Sequence, residues 1–230
     1  MVQGTDNKFM ANHSTQQILK AAQDHYLKGD FENSLKIIRE NKDSLDPGLF
    51  HYNLGSIYLK LNDFGPARYH LEKAKDDGFS YPMLWNNLEY IKLQPGVSDP
   101  VMSSNWKEYS IANAMDVPMS FFYIYILAGL SLFLLLLKKK WIQNRLLIAA
   151  YLSLLIVPVV FRYSYQEGHT FAVAMKDIRV HEGPSKIYPD YGKITAGSRV
   201  VVGRFYDNWY YIVSPSERSG WVDKVDLGFY

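Results

Sequence analysis

The sequence predicts a multidomain chain with three parts: a set of all-α helical repeats, a transmembrane helical hairpin, and a small β-barrel at the carboxyl end. Three observations predict it. Residues 14–82 repeat a helix-turn-helix pattern at an offset of 33. Two uncharged runs, each near the length that crosses a bilayer, lie between residues 118 and 161. Beyond residue 172 the chain changes to short β-rich runs broken by Gly, Pro and Asn.

The repeat is anchored where residues 26–38 (YLKGDFENSLKII) align with residues 58–71 (YLKLNDFGPARYHL), Gly29-Asp30-Phe31 falling on Asn62-Asp63-Phe64. Each triplet is a turn signal between two amphipathic helices, and the unit of about 34 residues is the TPR length. The second unit resembles the TPR pattern, with Leu54, Gly55, Tyr58, Ala67 and Ala74 at its packing positions. Small residues belong there because the two helices of a unit approach closely. The first unit has Ala22, His25 and Ser34 at the matching places, of compatible size. A third helix follows Tyr81-Pro82 and ends at Pro95-Gly96, so it reads as a cap on a TPR-like domain spanning residues 14–95.

In proteins of this pattern the first helix of each unit lines a concave groove. The resemblance therefore implies a peptide-binding groove of Gln23, Tyr26, Tyr52, Asn53, Ser56, Asn87 and Tyr90. Asn53 and Asn87 stand one unit apart, and each amide offers a donor and an acceptor to the backbone of an extended peptide. The alternative is that both only bridge neighbouring helices. Lys20, at the place matching Asn53, could meet a terminal carboxylate, although the basic cluster of a carboxylate clamp is incomplete.

Residues 118–137 hold 20 residues without a charge, which as a helix reach about 30 Å, the thickness of the hydrocarbon layer. Residues 146–161 hold 16 more, lengthened by Trp141 and Ile142. Phe121, Tyr123, Trp141, Tyr163 and Tyr165 flank the runs as interfacial aromatics do, and Pro158 falls near the end of the second. Two transmembrane helices over residues 118–163 are thus expected, with linkers at residues 96–117 and 164–171. The connecting loop carries Lys138, Lys139, Lys140 and Arg145 and no acid, which makes it cytoplasmic and sets the topology. Both soluble parts then face the other side. Residues 1–20 contain no apolar stretch of signal-peptide type, so export of the first part falls to the hairpin or to a preceding signal.

In residues 172–230, strands are expected at 200–202, 209–213 and 220–222, with turns at Asp207-Asn208 and at 214–219. The series Ile178-Arg179-Val180, Gly183-Pro184-Ser185, Tyr188, Gly197, Trp209-Tyr210, Ile212-Val213 and Gly220-Trp221-Val222 resembles bacterial SH3 domains over nearly its full length. Alternation sends Trp209, Tyr211 and Val213 to one face and Tyr210 and Ile212 to the other, so some rings must be exposed. An SH3 aromatic surface of Tyr188, Tyr191, Tyr206, Trp209 and Tyr210 is expected, with Trp221 as a core pillar.

Composition narrows the function. Lys and Arg against Asp and Glu number 12 to 15 in residues 1–117, 5 to 0 in 118–163 and 8 to 8 in 164–230. The basicity belongs to the membrane segment, and neither soluble part has the positive field nucleic acid requires. With no cysteine there is no disulfide, thiolate metal site or Cys nucleophile. The six histidines show no metal-ligand spacing, and phosphate-loop and nucleophile-elbow motifs are missing. A protein that is not an enzyme, with no cofactor and no metal, is the expectation.

The order TPR repeats, two spans with a basic loop, bacterial SH3 domain resembles the BatE-type aerotolerance-operon proteins over residues 14–230. The resemblance implies an accessory scaffold of the bacterial inner membrane, with both soluble domains periplasmic. It implies partnership with VWA-domain membrane proteins and a MoxR-type ATPase in envelope stress resistance, and it brings no catalytic residues. The runner-up is a peptidoglycan receptor whose SH3 domain binds the cell wall while the repeats recruit envelope proteins. Third comes a sensor, which the loop of about eight cytoplasmic residues makes less apt.

Overall fold

Two turns of like chemistry set the helical part. In the computed structural model, which describes residues 13–117, 119–141 and 143–230, Gly29 and Asn62 both adopt left-handed backbone, with φ of +78° and +56°. Glycine and asparagine enter that region at least cost, so each turn reverses the chain within a few residues. Helices α1 (His13–Leu27) and α2 (Phe31–Glu40) flank the first turn, and α3 (Pro47–Lys60) and α4 (Phe64–Asp76) flank the second. A fifth helix, α5 (Pro82–Lys92), follows. Asp30 caps α2 by accepting the Asn33 N–H and also meets His25 Nδ1 at 2.8 Å. Asp46 caps α3 through the N–H groups of Gly48 and Leu49, with Pro47 in the first turn. The apolar faces of α2 to α5 bury Leu35, Ile38, Leu54, Leu71, Leu84 and Ile91.

The small positions act as the pattern requires. A Cβ on Gly55 would lie 2.7 Å from Leu71 Cγ, so only glycine lets α3 and α4 close to this distance. In the first pair Ala22 and Ser34 are both buried, and the Ser34 hydroxyl donates to the Ala22 carbonyl at 2.9 Å. That bond is why a polar residue is tolerated at the helix contact.

The carboxyl-terminal strands are β1 (Thr170–Ala174), β2 (Ile178–His181), β3 (Asp190–Ile194), β4 (Arg199–Tyr206), β5 (Trp209–Ser214), β6 (Gly220–Asp223) and β7 (Leu227–Phe229). They form one antiparallel sheet in the order β3-β2-β6-β5-β4-β1-β7. Asp207, at φ +53°, turns the β4–β5 hairpin where a turn was expected. Ile178, Val180, Ile194, Val202, Ile212 and Val222 fill the core. Val222 takes the inward place on β6, so the expectation that Trp221 is a core pillar is corrected: it is half-buried on the other face, edge-on to Tyr211.

The residues up to Asp99 and those from Phe171 onward make one compact unit, and Pro100–Thr170 make a second. Within the first unit α4 lies directly on the sheet. A Cβ on Gly65 would collide with the Met175 carbonyl, and one on Gly228 would meet the Tyr69 ring. The contact is closed by charge. Asp99 accepts from Arg68 of α4 and from Arg199 of β4, the latter through Nη2 at 3.0 Å and Nε at 3.2 Å, and all three side chains are fully buried. Arg68 also donates to the Gly197 carbonyl at 3.0 Å and pairs with Glu72. The Phe171 ring lies 4.4 Å under the Arg199 guanidinium.

The second unit holds α6 (Trp106–Asp116), α7 (Met119–Lys138) and α8 (Arg145–Gly168), which brings the described residues to eight α-helices beside the sheet. Ser120–Lys138 and Arg145–Ser164 are long and apolar enough to cross a membrane. They touch where a Cβ on Gly129 would enter Leu155, where the Phe133 and Tyr151 rings stack at 5.3 Å, and where the Tyr125 and Tyr151 hydroxyls donate to the carbonyls of Leu154 and Gly129, both at 2.9 Å. Those two bonds satisfy the only polar groups the rings carry.

Two linkers need correction. Residues 96–117 contain α6, started by Asn105, whose side chain accepts the Lys107 N–H. Residues 164–171 are taken up by the end of α8 and the start of β1, with His169 alone between them, and Pro158 lies inside α8. Three earlier readings fall outside the described residues: the composition of residues 1–12, Pro118 at the head of the first run, and Ile142 in the basic loop. The side chain of Tyr165 does so as well.

Candidate functional site

The first helix of each pair, α1 and α3, and the lone α5 share one concave face. Between α1 and α3 lies a hollow of about 320 Å³ lined by Gln23, Tyr26, Tyr52, Asn53 and Ser56, with Leu19, Ile38 and Leu49 at its floor. A second hollow of about 560 Å³ is lined by Tyr26, Tyr52, Ser56, Lys60, Asn87 and Tyr90. Tyr26, Tyr52 and Ser56 line both, so the surface is continuous. All seven residues singled out by the repeat therefore come together.

Packing holds the rings in place. Tyr52 stacks on Phe79 with centroids 4.4 Å apart, and Tyr26 meets Phe31 edge-on at 5.4 Å. Burial, and then the neighbouring Tyr52, push the Tyr26 phenol above its usual range, so its ring stays neutral and able to donate. The asparagines are partly committed. Asn53 Nδ2 donates to the Leu49 carbonyl at 2.8 Å within its own helix, and Asn87 Nδ2 donates to Ser56 Oγ at 3.2 Å across to α3. Asn87 thus bridges helices as the alternative reading held, and Asn53 does not. Each amide keeps an acceptor oxygen and a second N–H to offer.

Among the described residues, Lys60 is the one charged residue lining the two hollows. It replaces Lys20, which lies outside both linings although the repeat had pointed to it. Lys60, Asn62 and Asn86 were missed, and the signal for Lys60 was the helical spacing from Ser56, one turn further along α3.

The five aromatics singled out in the carboxyl-terminal strands and loops do not make one surface. Tyr188, Tyr191 and Tyr206 are exposed, whereas Trp209 is 8% exposed and Tyr210 packs against the core and Phe229. Trp209 is set edge-on against His181 at 5.4 Å, and Tyr191 donates its hydroxyl to the Ser219 carbonyl. The hollow of about 380 Å³ beside Trp209 is edged by Asp177, Arg179, Lys186, Asp223 and Asp226. Its acids are already engaged: Lys193 meets Asp177 at 2.6 Å and Lys176 meets Asp226 at 2.7 Å. The hydrogen bond from Lys193, and then the Ala196 N–H, hold the Asp177 carboxyl below its usual range.

Two histidines without sequence spacing meet in the fold. His51 of α3 and His70 of α4 place their Nδ1 atoms 2.8 Å apart, and His70 stacks on Tyr58, whose hydroxyl accepts from Arg39. Burial, then His51, Arg39 and Lys73, push His70 down to about 3. The pair is a neutral donor and acceptor inside the helix contact. Among the described residues no group of three or more His, Asp or Glu is placed to hold a metal ion.

Lys138 ends α7, Lys139 and Lys140 form the turn, and Arg145 begins α8. The turn is closed by the Trp141 N–H on the Leu136 carbonyl and by left-handed Lys140, at φ +56°. All four basic side chains are exposed.

Fold and site together define a class: helix pairs carrying a polar, tyrosine-edged concave face, fused through buried charge to an antiparallel sheet, in a chain with two helices able to cross a membrane. Compared with family models, with curated proteins and with solved structures, the chain matches none.

Proposed function

We propose that this protein is a membrane-anchored, non-enzymatic adaptor that holds an extended peptide of an envelope partner in the concave face of its TPR-like repeats, beside an SH3-like barrel. The observation that carries it is the convergence of seven side chains, spaced by one repeat pattern, on one continuous polar face. The BatE-type resemblance names the partners as VWA-domain membrane proteins with a MoxR-type ATPase, in aerotolerance and stress response. The site is the bacterial inner membrane with both soluble parts periplasmic. In support of one-sidedness, the residues up to Asp99 and those from Phe171 onward fold into a single unit, which fits an even number of crossings between them. The basic loop supplies the sense. The peptidoglycan reading keeps Tyr188 and Tyr191 but loses Trp209 and Tyr210 as open stacking surface.

A photocrosslinking residue at Tyr52 in intact membranes tests this. Crosslinks to a VWA-domain membrane protein, lost on competition with the partner's own peptide, are the expected result; crosslinks confined to lipid or cell-wall material overturn it. Protease added to spheroplasts should digest both soluble parts, and protection of either one until detergent is added contradicts the shared side.

A further inference from the structure

Helix α6 was expected to be linker, and its outer face suits neither a linker nor a helix of a soluble core. Ala112, at 1% exposure, turns inward, and α6 packs on α8. Trp106 and Tyr109, three residues apart and so on one face, are 71% and 50% exposed, with Met102 exposed just before them. The start of the helix is held firmly: Asn105 caps it, and Ser103 donates to Glu108 at 2.9 Å. Only three residues separate Asp116 from the apolar window that opens at Ser120. At about 3.5 Å each they cannot carry α6 more than roughly 15 Å from the membrane boundary.

We infer that α6 is an interfacial helix that lays Trp106 and Tyr109 into the headgroup layer of the bilayer crossed by α7 and α8, a surface that rests on reading those two helices as spans. Tryptophan and tyrosine favour that layer because each has an apolar ring and one hydrogen-bonding group. Ser110 and Asn113 share the exposed face, and their polarity limits the depth to the headgroups rather than the hydrocarbon. Lys107 is offset by Glu108 and Asp116, so neutral and anionic lipids serve alike. A helix lying flat here also fixes the height at which the chain leaves the membrane.

Because the chain has no cysteine, one engineered thiol reports one position. The full chain carrying Tyr109→Cys, labelled with an environment-sensitive fluorophore, is placed in nanodiscs of phosphatidylcholine with or without phosphatidylglycerol. A blue-shifted emission, a several-fold loss of quenching by iodide relative to Glu32→Cys, and stronger quenching by lipid nitroxides near the headgroup than near the bilayer centre are expected in both lipids. A probe at Ser110→Cys should lose that protection when Trp106→Ala is added. Leu134→Cys, inside the first span, should be quenched from the bilayer centre; if it is not, the spans themselves are misread and the inference falls with them. If Leu134→Cys behaves and Tyr109→Cys is quenched by iodide like Glu32→Cys, the helix faces water. A blue shift without lipid quenching means a protein surface covers α6, which overturns the inference equally.

Discussion

The molecule has two polar regions of opposite character within one compact unit, one on α4 and the sheet, the other on α1, α3 and α5. At the junction between α4 and the sheet, Arg68, Asp99 and Arg199 are buried and engaged with one another. On the concave face Asn53, Asn87 and Tyr26 are held in position but retain donors and acceptors. Charge that is mutually satisfied fixes structure; polarity held in reserve is what a ligand can use. The burial of both arginines against one carboxylate also explains how two and a half helix pairs stand without further repeats. The sheet covers the flank of α4 that a next pair would cover.

The comparison breaks most visibly at Asp99. Asp99→Ala leaves two guanidinium groups buried without their shared counter-charge, and a loss of about 3 to 5 kcal/mol is expected, with helices and sheet melting apart. Replacing Arg68, Asp99 and Arg199 together by Met, Leu and Met should cost less, because no guanidinium is then stranded and Glu72, which loses Arg68, keeps Lys75 at 3.6 Å. Denaturant unfolding in detergent reads both. If the triple variant is as unstable as Asp99→Ala, the junction depends on its charges for more than mutual neutralisation.

An intermediate effect is expected at the His51–His70 contact, which belongs to the first kind of region without carrying a full charge. The folded value of His70 is about 3, below the 6.5 of an unfolded histidine, so the unfolded chain binds the proton first. Stability is complete above about 6.5 and falls as pH drops below it, by up to about 1.4 kcal/mol per unit for this group. His70→Phe keeps the stack on Tyr58 and should flatten that slope between pH 6.5 and 5. An unchanged slope would place the acid sensitivity elsewhere.

How much of this was legible in the chain depends on the range of the signal. Gly29-Asp30-Phe31 and Asn62-Asp63-Phe64 are local, and the turns, the helices and the concave face followed from them. The two apolar runs and the strands around Trp209 were equally local. Arg68, Asp99 and Arg199 are separated by 31 and 100 positions, and nothing beside any of them marks its partners. His51 and His70 meet only because α3 and α4 fold back on one another. Helix α6 was hidden by a sequence of weak periodicity, WKEYSIANAMD, whose two rings face outward. Trp209 and Trp221 misled because aromatic content alone does not say which ring is covered: Trp209 is buried, whereas Val222 takes the inward place beside Trp221 on β6.

The smallest stability effect should accompany the largest functional one. Asn53→Ala removes one bond from a side chain to a carbonyl of its own helix, which already serves the helix ladder. Asn87→Ala removes a 3.2 Å bond to Ser56 that water can replace at a half-open site. Together they should cost below about 2 kcal/mol, within the range of two net hydrogen bonds. Partner capture through the Tyr52 crosslinker should nonetheless fall about tenfold or more, since one lost hydrogen bond to a bound backbone at each of two positions amounts to that much in affinity. The single variants sharpen the contrast. Asn87 bridges α3 and α5, so Asn87→Ala should carry most of the stability loss, whereas Asn53→Ala should weaken capture with the melting temperature nearly unmoved. If Asn53→Ala leaves capture intact while Tyr26→Ala or Tyr90→Ala abolishes it, the face binds by its rings and the amides serve only the helices.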